Sequence, residues 1–121
     1  MITKIDKNKE RKIRARRQSD ITGTAARPRL VVYRSLSNIY AQLINDESGE
    51  TILATNTMQE KLDKLCKGKT KKESAFIVGE QLALAALAQK ITSCVFDRNG
   101  YVYHGRVKEV AEGARKGGLA F

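Results

Sequence analysis

The sequence predicts an α/β domain in which a three-stranded antiparallel meander is followed by helix, strand and helix, forming a mixed sheet with packed helices. Three observations carry this. Short β-prone runs alternate with polar turns over residues 30–57, a long apolar helix pattern fills 73–91, and a second helical pattern closed by paired glycines ends the chain. With 121 residues and 13.5 kDa, the chain buries about two thirds of its unfolded surface, enough for one modest core but not for a multi-domain enzyme.

The elements follow in order. Arg27-Pro28-Arg29 opens the folded part, and Leu30 to Arg34 is a strand whose proline is tolerated only at its beginning or on an edge. Ser35 to Asn38 reads as a turn, Ile39 to Ile44 as a second strand, Asn45 to Glu50 as another turn and Thr51 to Thr57 as a third strand. Residues 58–72 form a polar link with a secondary basic patch from Lys61, Lys64, Lys67, Lys69, Lys71 and Lys72 around Gly68. Glu73 to Ile91 is the principal helix, with Ala75, Val78, Gly79, Leu82, Ala83 and Ala86 on its inner face. Gly79 is expected to admit a close helix-to-strand approach or to be a locally tolerated glycine. Thr92 to Phe96 is a fourth strand, Asp97 to Gly100 a tight turn, and Tyr101 to Tyr103 extended. Gly105 to Lys116 is the last helix, with Val107, Val110, Ala111 and Ala114 inward; Gly117-Gly118 stops it, and Leu119 and Phe121 fold back.

The formal net charge is +10, and its distribution is uneven. Residues 1–34 hold eleven basic and three acidic residues, whereas residues 35–121 hold twelve and ten. The division is thus a basic flexible N-terminal arm over 1–26, mobile when free and ordered when bound, and an α/β domain over 27–121. Such asymmetry points to a polyanionic partner. A membrane is disfavoured because, beyond Met1, Ile2, Ile5 and Ile13 are the only large apolar residues in the first 17 and no aromatic anchor accompanies them. The start lacks a secretory pattern and no apolar run approaches a membrane span, so the expectation is a soluble protein that stays in the cytoplasm. A merely solubilising tail is the bland alternative. The dense run Arg11, Lys12, Arg14, Arg16 and Arg17, with Lys9 just before it, argues against it, because the spacing of the run suits several simultaneous phosphate contacts.

Catalytic patterns are missing from the sequence. His104 stands alone, suited to a structural hydrogen bond or to RNA contact, and Cys66 and Cys94 form neither a zinc-finger nor a redox spacing. Asp46, Glu47, Glu50, Asp97, Glu109 and Glu112 read as turn acids and solvated helix positions rather than a metal site, and no phosphate-loop pattern occurs. No enzyme activity, cofactor or metal is expected. Among nucleic acids, folded RNA fits better than DNA: the long helix is too apolar to read a major groove, and Tyr33, Tyr40, Tyr101 and Tyr103 offer stacking rings, although packing at a sheet edge explains them equally.

The motifs Arg29-Leu-Val-Val-Tyr-Arg34-Ser, Asn38-Ile-Tyr-Ala-Gln-Leu-Ile44, Gly68-Lys-Thr70, Phe96-Asp-Arg-Asn-Gly-Tyr-Val-Tyr-His-Gly-Arg-Val107 and Gly117-Gly-Leu-Ala-Phe121 together resemble a known family. It is that of the bacterial 5S-rRNA-binding large-subunit ribosomal protein, eighteenth in the large-subunit numbering, and the likeness covers essentially the whole chain. The resemblance implies a structural constituent of the large ribosomal subunit that binds 5S rRNA and helps attach it to large-subunit rRNA in the central protuberance. It further implies neighbouring central-protuberance proteins as partners, with a monomer when free. On this sequence it places RNA contacts on the arm residues above, on Arg27, Arg29, Arg34, Ser35, Ser37, Asn38 and Tyr40, and on Arg98, Asn99, Tyr101, Tyr103, His104 and Arg106. The chain departs from the family pattern at Asn38, where a basic residue or histidine is common, and at Asn99 and Lys90, where glycine is common. A general structured-RNA chaperone or regulatory RNA-binding module is the alternative function.

Overall fold

The computed structural model describes residues 21–121; the segment assigned to Lys9 through Arg17 lies outside the described residues. Strands β1 (Arg29–Arg34), β2 (Ile39–Asn45), β3 (Glu50–Asn56) and β4 (Val95–Asp97) form one sheet in the order β3-β2-β1-β4. Polar turns join β1 to β2 and β2 to β3, so these pairs are antiparallel, with Tyr33 opposite Tyr40 and Leu43 opposite Leu53. β4 lies parallel to β1 at the other edge, which requires a long crossover, and helices α1 (Glu60–Cys66) and α2 (Lys71–Ala88) supply it. Helix α3 (Arg106–Lys116) follows β4. The mixed sheet with packed helices and its leading meander are therefore present as the sequence predicts.

Alternation along β1 and β2 sends Leu30, Val32, Ile39, Ala41 and Leu43 to one face, where each is buried. There they join Val78, Leu82 and Ala86 of α2 and Val107, Val110 and Ala114 of α3 in one cluster. Pro28 is buried immediately before β1, where its missing N–H costs no ladder bond, and its carbonyl accepts the Val95 N–H at 2.9 Å. Gly23, inside the stretch assigned to the arm, is buried and pinned: its N–H donates to Asp46 Oδ2 at 2.7 Å and its carbonyl accepts the Asp46 N–H at 3.0 Å.

Several local readings need correction. The link 58–72 contains α1, which sequence reading missed because its only buried side chain is Leu62 and most of its other residues are polar. The long helix begins at Lys71 rather than Glu73, because Thr70 and Glu73 form a reciprocal capping box, and ends at Ala88 rather than Ile91. The fourth strand is Val95–Asp97 rather than Thr92 to Phe96; Ser93 makes only an isolated parallel bridge to Ala120. Tyr101 to Tyr103 form no strand, being held in a bent loop by the Tyr101 N–H to Arg98 carbonyl bond and the His104 N–H to Val102 carbonyl bond.

Gly79 serves a helix-to-helix contact, not a helix-to-strand one. A Cβ there would lie 2.1 Å from the Val110 carbonyl oxygen of α3, and a Cβ at Gly113 would lie 2.1 Å from the Phe76 carbonyl oxygen of α2. The two backbones touch through reciprocal glycines. Gly79→Ala is expected to destabilise the fold by about 3 kcal/mol, since rigid backbone rather than a flexible side chain must yield; chemical denaturation of the variant against the parent protein measures it.

Both long helices end in the same hydrogen-bond pattern. At the end of α2, Ile91 N–H reaches the Ala86 carbonyl and Lys90 N–H the Leu87 carbonyl; at the end of α3, Leu119 N–H reaches Ala114 and Gly118 N–H reaches Arg115. The α3 cap uses Gly118 at φ +112°, whereas α2 places Lys90 at φ +63°. Lys90→Gly is therefore expected to raise stability by about 1 kcal/mol by removing left-handed strain, seen as a higher denaturation midpoint at unchanged m-value.

Candidate nucleic-acid interface

The hairpin turn between β1 and β2 is the centre of the candidate site. Ser35 N–H donates to the Asn38 carbonyl at 2.9 Å, and the Ser35 hydroxyl accepts the Asn38 N–H at 3.1 Å, closing a compact turn with Leu36 88% exposed at its tip. Asn38 turns its side-chain oxygen to the Thr57 hydroxyl at 2.8 Å, and that hydroxyl accepts the Ile39 N–H at 3.2 Å. The polar side chain at this position is thus tied to the end of β3 rather than projecting as a cation would.

The segment after β4 clamps this turn. The Tyr101 hydroxyl accepts the Arg34 N–H and donates to the Arg34 carbonyl, both at 3.3 Å, while the Arg34 guanidinium lies 4.9 Å from the Tyr101 ring centroid. Arg106, in the first turn of α3, donates to the Ser35 carbonyl at 3.0 Å. Gly105 permits this approach because it enters α3 at φ +59° and ψ −128°, a conformation side chains resist. Arg34, Ser35, Asn38, Tyr101 and Arg106, separated by up to 72 positions in the chain, are thereby brought together. Among the described residues neither Arg34 nor Arg106 forms an ion pair. Burial first, then the neighbouring Arg34 charge, press the Arg106 pKa below its ordinary value, so two cations are held together without a compensating carboxylate.

Other expected site residues lie elsewhere. Tyr40 tilts against Tyr33 at 5.7 Å between centroids on the sheet face opposite the helices, and its hydroxyl reaches the Met58 sulfur at 3.2 Å. Asn99 shares a hollow of about 340 Å³ there with both tyrosines, Val31 and Gln42. Its φ of +55° suits asparagine, and its amide donates to the Val32 carbonyl at 3.2 Å, beyond the reach of short β4. Tyr103 packs edge-on against Phe96 and receives the Arg115 guanidinium on its hydroxyl at 3.1 Å, joining a C-terminal cluster with Phe121. His104, Arg98 and Ser37 are exposed; Arg27 is exposed, with its Nε 3.4 Å from the Cys94 carbonyl. The fully buried Cys94 thiol is pushed up to about 12, chiefly by burial.

Arg29 differs from the other arginines. Its Nε and one terminal nitrogen donate to both Asp46 oxygens at 3.0 and 3.1 Å, and its other terminal nitrogen donates to Asp97 Oδ2 at 2.8 Å. The guanidinium therefore bridges the β2–β3 turn to the end of β4, and its own pKa is raised, most of all by the Asp46 bond. The residues at 46 and 97, read as plain turn acids, were the missing partners; their separations from Arg29 of 17 and 68 positions left no local signal.

The sheet-and-helix frame thus presents a cationic cluster that has no carboxylate partner among the described residues. A model of the family described as ribosomal L18 of archaea, bacteria, mitochondria and chloroplast matches residues 2–121. The chain is 54% identical to the large ribosomal subunit protein uL18 of Chlorobium phaeobacteroides, covering 99% of this chain and 100% of that one. It is 53% identical to the protein of the same name from Lactiplantibacillus plantarum and 50% identical to that from Finegoldia magna, each across the full length of both chains. Fold and relatives together define a large-subunit ribosomal protein, a structural class rather than an enzyme. The chain belongs to the ribosomal L18 family.

The Arg29 bridge predicts an acid-sensitive component of stability. The Arg29 hydrogen bond, then the Gly23 N–H, hold the Asp46 carboxyl below its ordinary range. A carboxylate whose folded pKa is depressed stabilises above its unfolded value, near 4, and loses that contribution as pH falls through the folded value. Asp46→Asn is expected to cost about 2 kcal/mol at pH 7, and the gap from the parent should close below about pH 4; urea melts of both proteins across that range check the sign.

Proposed function

We propose that this protein binds 5S rRNA and helps attach it to large-subunit rRNA in the central protuberance, among neighbouring ribosomal proteins, in the cytoplasm. The observation that carries the reading is the Arg34–Tyr101–Arg106 cluster: two guanidinium groups without carboxylate partners among the described residues, presented beside a tyrosine ring and a rigid turn. Full-length membership of the ribosomal L18 family supports the ribosomal setting. Phosphates complete the coordination of the arginines, while ring and turn polar groups discriminate shape. The basic segment preceding Gly23 adds Lys9, Arg11, Lys12, Arg14, Arg16 and Arg17 as further phosphate contacts.

Within the domain, Arg34, Ser35, Ser37, Arg98, Tyr101, His104 and Arg106 form the proposed contact set, with Arg27 alongside it. Asn38, Tyr40, Asn99 and Tyr103 hold surrounding structure through the bonds and ring contacts already described. Arg29 acts as a positioning residue for the frame, since all three guanidinium nitrogens face carboxylates.

If about 5 to 8 phosphates are neutralised, log affinity for 5S rRNA should fall against log salt with a slope of about −4 to −7. A chain lacking residues 1–20 should show a shallower slope and weaker binding. Filter-binding titrations across salt check both expectations, and an unchanged slope and affinity would remove the arm from the interface. Competition by an unrelated structured RNA of equal length separates specific 5S recognition from general RNA binding.

A further inference from the structure

Residues 35–121 carry a net charge of only +2, yet 58–72 alone hold six lysines against Glu60 and Asp63. The rest of that span is therefore net acidic, and the excess is local. The fold concentrates it further. A groove of about 420 Å³ opens between the β1–β2 turn, α1 and the start of α2, with Lys64, Lys67, Lys69, Lys71 and Arg106 on its walls against the single acid Asp63. Lys64 has a nearby Glu60 at 3.5 Å, but Lys67, Lys69 and Lys71 form no ion pair among the described residues.

Nothing in packing requires these lysines to converge, since all are exposed and the only buried residue of α1 is Leu62. Like charges around one concavity raise its potential and repel one another until a counter-charge enters. The groove also carries hydroxyl or amide groups from Ser37, Asn38 and Ser74, suited to phosphate and sugar oxygens. It is continuous with the proposed RNA face because Ser37 and Arg106 belong to both.

We infer that the groove between α1 and the start of α2 is a second RNA-backbone site, in which Lys67, Lys69 and Lys71 clasp phosphates of a strand continuing past Arg106. This extends the RNA-binding reading above and rests on it. Gly68 makes the geometry possible by turning the chain at φ +77° between two of the lysines, with the Lys69 N–H bonded to the Cys66 carbonyl at 2.9 Å. The half-buried Cys66 also lines the groove, whereas Cys94 is fully buried, so Cys66 is a built-in reporter.

The test uses the full-length protein with 5S rRNA and with an unrelated structured RNA of equal length. Two variants remove the same charge: Lys67→Gln with Lys69→Gln inside the groove, and Lys61→Gln with Lys72→Gln, neighbouring lysines outside its wall. The groove pair is expected to lose about tenfold in 5S rRNA affinity and to flatten the salt slope by about 1.8, the value for two duplex phosphate contacts, while the outer pair loses less than about twofold. Bound 5S rRNA should also slow alkylation of Cys66 by N-ethylmaleimide at least about fivefold, following the steric closure of the groove by its backbone. Equal losses from the two pairs, no loss from either, or an unprotected Cys66 overturns the groove assignment. Indifference of the parent protein to RNA identity instead overturns the 5S reading, and the same two readouts on the RNA that binds then decide the groove.

Discussion

The contact between Gly79 of α2 and Gly113 of α3 sets the position of nearly everything that matters on this surface. Because each glycine faces a carbonyl of the opposite helix, the helices meet backbone to backbone and cover the sheet as one layer. Val107, Val110 and Ala114 then reach the core, and Arg106 at the start of α3 faces the β1–β2 hairpin. Arg106 meets Ser35 as a result. A wider separation would loosen the core and detach the arginine from the turn, so the cationic cluster depends on two residues that touch neither phosphate nor charge.

Arginine is used in two ways within one small domain. Arg29 is held by two carboxylates, fastening the β2–β3 turn to β4, whereas Arg34 and Arg106 are held by a ring and a carbonyl, with no carboxylate partner among the described residues. The first arrangement stabilises a frame and the second stores unfavourable repulsion that a polyanion relieves. Backbone acceptors make that storage tolerable: a guanidinium has five donors, and satisfying some of them with carbonyl oxygen fixes direction without neutralising charge.

Much of the architecture was legible locally. The three β-prone runs of the meander stood out between their polar turns, and Gly117-Gly118 marked the end of α3. Errors gathered where a local pattern was short or its partner distant. The Thr70–Glu73 box moved the start of α2, α1 was obscured by its exposed lysines, and Gly79 showed that something approached closely without showing what. The candidate interface was legible as a set of residue types, but the contacts its residues make within the fold were not: Asn38, Tyr40, Asn99 and Tyr103 each have structural contacts that their sequence neighbours do not announce.

By itself the sequence determined the types of most elements, the inner faces of the two long helices, the concentration of charge before residue 35 and the family likeness, because all of these reside in composition, short-range periodicity or contiguous motifs. Only the tertiary structure decided which cations face acids, which face one another, and which share a groove. An ion pair between positions 29 and 97 and a cluster joining 34, 101 and 106 are created by chain return across the sheet, where distances of a few ångströms bear no relation to separation along the chain. At that range a carboxylate largely cancels a guanidinium and a second guanidinium reinforces it, so geometry decides whether the same residue type braces the fold or presents charge for RNA.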